Sequence, residues 1–600
     1  MLVGFDTEYG FRSIRSLNDR FEPDITTGVP VCACLAFADG RAAVFTDDYA
    51  PLAEILSDPR YEFVVHGAHA EMLFCRLVGS PFPRRYIDTL LRGVMIAHAT
   101  TFEPVRGAYA QAGLAALTSR FGIPFIGADE KDAIRDSIFH LRHAEEYGMR
   151  AVTDYCLADA RACLQLVDPV RDAVAQTCGP SAEQTIAALY QPYARVMAET
   201  AAKGIRFDQE GWYRLLELAS VYRARQLRVM SKYGYDHDGD GLGLRAFEHM
   251  IVRLGFDRAW PRTPKGHLRT QESDLKDRRH QHEAIRAAHR LVQFDAVMTQ
   301  RFGDRVDADG RIRCGILPLA QRSSRNSTTR PNLMGIPGEL RPLLLPDEGC
   351  KFVHFDYSQQ EPGVAAYLSG DGDLMNDFAL GDVYVNTGRR MGLVTADMTA
   401  EMVKAVRNGL LKSLILAVIY GKSATGIARD LPCSLHEAKV HLARFEQAYP
   451  QLFRWLRGYV SKALEQGWAE NVIGYRAAFT VRDPQQRSHV ARSAQNFPIQ
   501  SSAAACFQVT GLHLAESGAD IRLPIHDAYL LCVPDDPTMI AEVQEQVTAA
   551  TEDATNQLFP GLKVKRDIEV LGRFAKDAKE DSFSKLLASL EAKEEACPAA

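Results

Sequence analysis

The chain has 600 residues, 46% hydrophobic and 24% charged, with a formal net charge of −6 and a pI near 6.3, which fits a globular protein of roughly three to six domains. The acidic balance excludes the global basic signature of a small nucleic-acid-binding domain and leaves nucleic acid to a local basic cleft. Twelve cysteines without Cys-x-x-Cys pairs of zinc spacing leave reduced thiols; the opening "MLVGFDTEYG" lacks a basic n-region and a long apolar core, no uninterrupted apolar run of about 18 residues occurs, and a cytoplasmic enzyme without a membrane segment is expected.

From the first residue to about 170, strand-like runs ("MLVGFDTEYG", "PVCACLAFAD", "RAAVFTD", "EFVVHGA") alternate with helix-like ones, which predicts an α/β unit. Asp6 and Glu8 are two apart on the first strand and share a face. Tyr155 and Asp159, four apart in "DYCLADA", sit one helical turn from each other. Cys32 and Cys34 are the one close cysteine pair in a strand-like setting.

From about 180 to 310 the pattern is charged and helical, with a Pro/Gly/Arg-rich break at "WPRTPKGHLRT", and predicts an elongated helical element. A third region, about 311 to 575, has strand-like ends around a helical middle. In "KFVHFDYSQQEPGVAAYLSGD", Phe352–Phe355 read as a short strand and Pro362–Leu368 as the start of a helix, which puts Asp356 at a strand end. Asp-x-Ser ahead of a helix is also an ordinary capping pattern. The segment "IRLPIHDAYLLCVP" reads as a hairpin with Asp527 near its turn. Two aspartates on adjacent strand ends can hold two Mg²⁺ ions about 3.5 to 4 Å apart, the arrangement of in-line phosphoryl transfer. Between them, Lys412, Leu416 and Tyr420 recur every four residues on one helix face. Lys412 and Arg407 suit a triphosphate and Tyr420 a base, whereas the bland alternative is a core helix with a snorkelling lysine. The tail after about 575 is charged and reads as a loose surface helix.

In order and spacing, "DYSQQE", the Lys-x7-Tyr-Gly helix and "IHDA" resemble motifs A, B and C of the bacterial DNA polymerase I family, family A. Three further segments are similar to that family: "RNSTTRPNLMGIP", "ENVIGYRAAF" and "ARSAQNFPIQSSAA". The resemblance implies that Asp356 and Asp527 bind two metals, Mg²⁺ with Mn²⁺ able to substitute. It implies a dNTP site of Glu361, Tyr384, Arg407, Lys412, Leu416 and Tyr420, with Glu361 filling the space of a ribose 2′-OH. It implies DNA contacts from Arg325, Arg492, Asn496, Gln500 and His526. Three departures stand out: Ala528 follows Asp527 where the family has Glu; Arg407 lies five residues before Lys412, where a spacing of four would select Asn408; and Leu416 replaces an aromatic residue, which should disfavour dideoxynucleotides.

The amino-terminal pairs together resemble the DEDD 3′-5′ exonucleases with the tyrosine variant. That resemblance implies metal ligands Asp6, Glu8 and Asp159, with Tyr155 orienting the attacking water. Where the family has Asn and Asp, "VVHGAHAEMLF" offers Gly67 and Glu71, which makes Glu71 the fourth carboxylate, and Asp88 fits the strand-to-helix step between. The implied fold is α/β multidomain: an RNase H-like exonuclease at 1–175, a helical thumb at 176–310 with "WPRTPKGHLRTQESDLKD" near its tip, palm at 311–370 and 471–575, fingers at 371–470, and a charged tail at 576–600. The layout opens on the proofreading motif, without a 5′-nuclease domain, and resembles bacteriophage replicative members, which places the enzyme in the cytoplasm of a bacterial host. The implied partners are primer-template DNA and dNTPs, then helicase, primase or single-strand-binding proteins, around a monomer. The competing readings are a single-subunit RNA polymerase-like enzyme and an inactive DNA-binding scaffold.

Overall fold

The structure is a computed structural model and describes residues 1–17, 20–102, 107–125, 128–237, 239, 241–299, 301–431, 433–574 and 582–591. Strand β1 (Leu2–Phe11) is the centre of a five-stranded sheet. It pairs antiparallel with β2 (Gly28–Phe37), which pairs antiparallel with β3 (Ala42–Phe45). On its other side β1 runs parallel to β4 (Glu62–Val65), and the chain continues through α1 (His69–Leu77) to β5 (Tyr86–Asp88), parallel to β4. The spatial order is β3-β2-β1-β4-β5. The "VCACLAF" run of β2 is buried throughout, which explains its unbroken apolar composition. Helix α2 (Thr89–Thr100) starts on Asp88, whose carboxylate accepts from the amides of Leu90 and Leu91.

Two further helices cover this sheet, α3 (Ala128–Phe139) and the 30-residue α4 (Met149–Cys178). Helix α4 lies directly on β1: a Cβ built on Gly4 would fall 1.9 Å from the Ala160 carbonyl oxygen, so glycine is required for this approach.

The region expected as one helical element divides in two. Helix α5 (Gln191–Lys203) packs against the carboxy-terminal region, and the strand Ile205–Phe207 then pairs with Arg311–Ile312 and Leu344–Leu345. Only beyond it does the chain form the long pair α6 (Gln209–Ser231) and α7 (Glu283–Met298). Their distal end carries its own core around Met230, Phe247, Trp260, Leu268 and Leu275.

The third region is built on β6 (Cys350–Ser358), nine residues long and extended past the predicted short strand. Helices α8 (Gln360–Ser369), α9 (Val383–Arg390) and α10 (Lys412–Ile419) follow, and the 30-residue α11 (Arg487–Glu516) leads into β7 (Asp520–Ile525) and β8 (Ala528–Pro534), the predicted hairpin. After α12 (Pro537–Leu558), β9 (Lys565–Leu571) returns to the sheet, giving the antiparallel order β7-β8-β6-β9. One face packs on α11: the Tyr529 ring stacks on Phe507 at 4.0 Å, and Tyr357 Oη shares a 2.6 Å hydrogen bond with Thr510 Oγ1. A Tyr193–Tyr529 hydroxyl pair at 3.0 Å ties α5 to the same core, and Asn326 Nδ2 donates to Tyr193 Oη at 2.6 Å. Of the tail, only α13 (Ser582–Glu591) is described, with Leu586 and Leu587 packed on the core; residues 576–581 and 592–600 lie outside the described residues. Among the described residues no helix is long and apolar enough to cross a membrane.

The Gly4 contact yields a stability test. Gly4→Ala forces a methyl into the α4 backbone, an overpacking that costs about 1–3 kcal/mol or more. Calorimetry should therefore record a lower melting temperature for the amino-terminal unit.

Candidate active site

Because β6 is hydrogen-bonded on both sides, its side chains alternate strictly between two faces. Tyr357 points to the α11 core, so Asp356 and Ser358 point the other way, into a cleft of about 910 Å³. The helix-capping alternative for Asp356 and Ser358 does not hold. The N-cap of α8 is Gln359, in the left-handed conformation (φ 58°), and the Ser358 hydroxyl donates to Asp567 at 2.5 Å. Gln359 Oε1 instead accepts from the Val383 amide at 2.8 Å, which joins the β6–α8 turn to the start of α9.

The β7–β8 hairpin brings Asp527 to the same place. Its carbonyl accepts from the Tyr357 amide at 3.2 Å, and the preceding His526 adopts φ 57°, a left-handed conformation uncommon outside glycine. Ten of the predicted residues line this one cleft: Asp356, Asp527, Glu361, Tyr384, Arg407, Lys412, Leu416, Tyr420, Arg325 and His526. Arg325 Nη2 donates to Glu361 Oε1 at 2.9 Å. Burial, and then the Glu361 carboxylate, hold the Tyr420 phenol above its ordinary pKa. Arg492, Asn496 and Gln500 lie on α11 outside this lining; there the backbone of Arg492 passes Gly421 (φ 68°) so closely that a Cβ would lie 3.2 Å from Arg492 Cα.

The five-residue spacing of Arg407 and Lys412 has a structural basis. Residues Arg407–Leu411 form one π-helical turn immediately before α10, and an i→i+5 turn places residues five apart on the same side. Both side chains reach the cleft, whereas Asn408 is exposed outside it. Arg407 Nε donates to Asp382 Oδ2 at 2.6 Å, its guanidinium lies 5.2 Å from the Tyr384 ring centroid, and Asp382 also caps α9 through the Tyr384 and Val385 amides. Sequence reasoning missed three lining residues on β9: Lys565, Arg566 and Asp567.

A second cluster lies between β1, α1 and α4. Asp6, Glu8, Glu71, Tyr155 and Asp159 converge here, while Asp88 is committed to structure: its carboxylate accepts from the Gly67 amide at 3.1 Å and the Ala68 amide at 3.0 Å. Burial pushes Glu8 and Glu71 up to about 8 from an ordinary 4.5, with the neighbouring carboxylates adding to it. Asp6 is raised by burial and then by Asp159 and Glu8. Asp6 Oδ2, Glu71 Oε2 and Asp159 Oδ1 are buried without a hydrogen-bond partner. Inward oxygens of this kind suit a hard divalent cation. A residue that sequence reasoning missed enters from α3: Lys131 Nζ meets Asp159 Oδ2 at 2.5 Å and lies 5.3 Å from the Tyr155 ring centroid. Nothing in the charged "ADEKDAIRDSIF" marks that lysine out. Beside the carboxylates, ligand atoms of Cys32, Cys34 and Cys156 lie within 4.8 Å of one another, and Cys156 stands equally close to Asp6 and Glu8.

Residues 247–571 match the family model described as DNA polymerase family A. The thermostable DNA polymerase I of Thermus thermophilus is 27% identical over 420 residues, which is 65% of this chain and 48% of that protein. DNA polymerase I of Mycobacterium tuberculosis (strain ATCC 25618 / H37Rv) is 25% identical over 577 residues, 90% of this chain and 60% of that one. The chain thus spans about half the length of the first of these relatives. The solved POL domain of Pol1 from M. smegmatis, in complex with DNA primer-template and dNTP, has a similar fold, with TM-score 0.73, 22% identity and coverage of 94% and 95% of the two chains.

The raised carboxyls generate a pH prediction. Their folded pKa exceeds the unfolded one, so their stabilisation is complete below 4.5 and is lost as pH rises through about 8. In chelator, the melting temperature of the amino-terminal unit should fall from about pH 5 to about pH 8 and level off above that, and Mg²⁺ should reverse the fall. A midpoint insensitive to both would show that no cation site is present.

Proposed function

This chain belongs to DNA polymerase family A, and from that premise we propose that it extends a primer 3′-OH with dNTPs on a DNA template. The observation that carries the reading is the meeting of Asp356, near the end of β6, and Asp527, in the hairpin turn that leads into the paired β8, with Arg407 and Lys412 in one cleft. The two aspartates would hold Mg²⁺, or Mn²⁺ in its place. When bound, such ions activate the primer hydroxyl and neutralise charge on the reacting phosphates. Lys412 and Arg407 bind the triphosphate, Tyr384 flanks it, and Leu416 and Tyr420 line the sugar and base side. Glu361 occupies the space that a 2′-OH would need and so selects deoxynucleotides. Arg325, Arg492, Asn496, Gln500 and His526 meet the duplex, where Arg325, Arg492 and Gln500 read the minor-groove acceptors shared by every correct pair.

The amino-terminal unit is proposed as a 3′-5′ exonuclease of the RNase H-like type. Support comes from the mixed sheet order β3-β2-β1-β4-β5 and from the buried carboxylates Asp6, Glu8, Glu71 and Asp159, with Tyr155 beside them to orient water. The side chains present fit divalent cations, and Lys131 offsets part of their charge. A phage replicative role in a bacterial cytoplasm, action as a monomer, and helicase, primase or single-strand-binding partners belong to the same proposal. An RNA polymerase-like enzyme is not favoured because Glu361 guards the sugar position and the amino-terminal carboxylates cluster, and an inactive scaffold is not favoured because Asp356, Asp527 and Lys412 are retained.

A 5′-labelled primer with a mismatched 3′ end, incubated with Mg²⁺ and with or without dNTPs, tests both activities. Asp356→Ala and Asp527→Ala should each reduce extension by at least about 10³-fold, a loss of about 4 kcal/mol in transition-state stabilisation, while leaving shortening intact. Asp6→Ala should do the reverse. Surviving extension in either palm variant, or extension with rNTPs only, would overturn the assignment. Arg407→Ala should raise the dNTP KM about 10- to 100-fold, the worth of a charged hydrogen bond, whereas Asn408→Ala should leave it near wild type.

A further inference from the structure

The face of β6 that looks into the cleft carries one more carboxylate than the motifs suggest. In the antiparallel ladder, Asp356 pairs with Ala528 on β8 and with Asp567 on β9. Directly opposed residues share a face, with Cβ atoms about 4.5–5.5 Å apart, so Asp567 stands beside Asp356 on the side away from Ala528. Its place in the cleft lining and the hydrogen bond from Ser358, itself on that face, agree with this geometry.

Like charges directly opposite each other destabilise a sheet. Four of the cations in this cleft have other partners, and Lys412 lines it with them. Lys565 Nζ donates to the carbonyls of Phe378 and Gly381, Arg566 pairs with Glu552 at 2.7 Å, Arg407 with Asp382 and Arg325 with Glu361. Arg341 is close enough to Asp356 to interact with it electrostatically. A divalent cation between the half-buried Asp356 and the exposed Asp567 would turn the repulsive pair into a chelating one.

We propose that Asp567 is a third carboxylate ligand of the palm's divalent-cation site, oriented by the Ser358 hydroxyl and standing opposite the methyl that Ala528 presents. The inference rests on the polymerase reading above. It gives the site a ligand from β9, a strand some 200 residues beyond Asp356 in the chain.

The test compares Asp567→Asn, Ser358→Ala and Asp356→Ala in the full chain with wild type. Asp567→Asn keeps the side-chain volume and an oxygen to accept from Ser358, so it leaves the sheet intact, and its melting temperature checks this. Two readouts are taken: Mn²⁺ affinity by electron paramagnetic resonance of the free ion, and the Mg²⁺ concentration for half-maximal primer extension. Asp567→Asn should weaken Mn²⁺ binding and raise the Mg²⁺ requirement, each by about tenfold or more, and Ser358→Ala should shift both in the same direction by less. If Asp567→Asn matches wild type in both while Asp356→Ala loses both, Asp567 is only a sheet residue and this inference falls. If Asp356→Ala also keeps Mn²⁺ binding and extension, the polymerase reading itself falls.

Discussion

The arrangement of the cleft depends on one constraint, the two-sided hydrogen bonding of β6. A strand paired on both edges cannot rotate, so Tyr357 must enter the core and Asp356 must face outward. The stacked Tyr529 and Phe507 rings and the hydroxyl chain from Tyr193 to Tyr529 anchor the sheet from below. The cleft above it is thereby held by a packed floor, and the proposed positioning of a triphosphate there would depend on such a floor.

The two carboxylate clusters solve the same electrostatic problem differently. In the amino-terminal unit the acids are buried, so protonation relieves part of their mutual repulsion and Lys131 relieves another part. In the larger cleft the acids share an open lining with Arg407 and Lys412, on α10 and the turn before it, and with Arg325, Lys565 and Arg566. A cation entering the first arrangement would have to displace protons. The second leaves the cations in place for an anionic ligand.

Much of this was legible in the sequence because short-range periodicity survives folding. Spacing of two put Asp6 and Glu8 on one face, and spacing of four put Lys412, Leu416 and Tyr420 in one cleft. The hairpin at Asp527 was legible from its turn. What escaped notice depended on long-range pairing or on a break in period. Asp567 sits in "KVKRDIEV", which carries no motif, and only the ladder with β6 gives it a place. Lys131 is one charge among many on its helix, and the limit of the helical element after α5 was hidden because a three-residue strand has no detectable alternation. Asp356 as a helix cap was a fair local reading; the continuation of β6 to Ser358 and the left-handed Gln359 decide against it.

The π turn at Arg407–Leu411 has a consequence for how such chains change over time. A wide turn is what remains when one residue is added to a helix whose two ends are fixed, here by the Asp382 ion pair at one end and the packed α10 at the other. The extra residue is absorbed within a single turn, and nothing downstream has to rotate. The helix can therefore take up a change of length at this point without turning the side chains of α10.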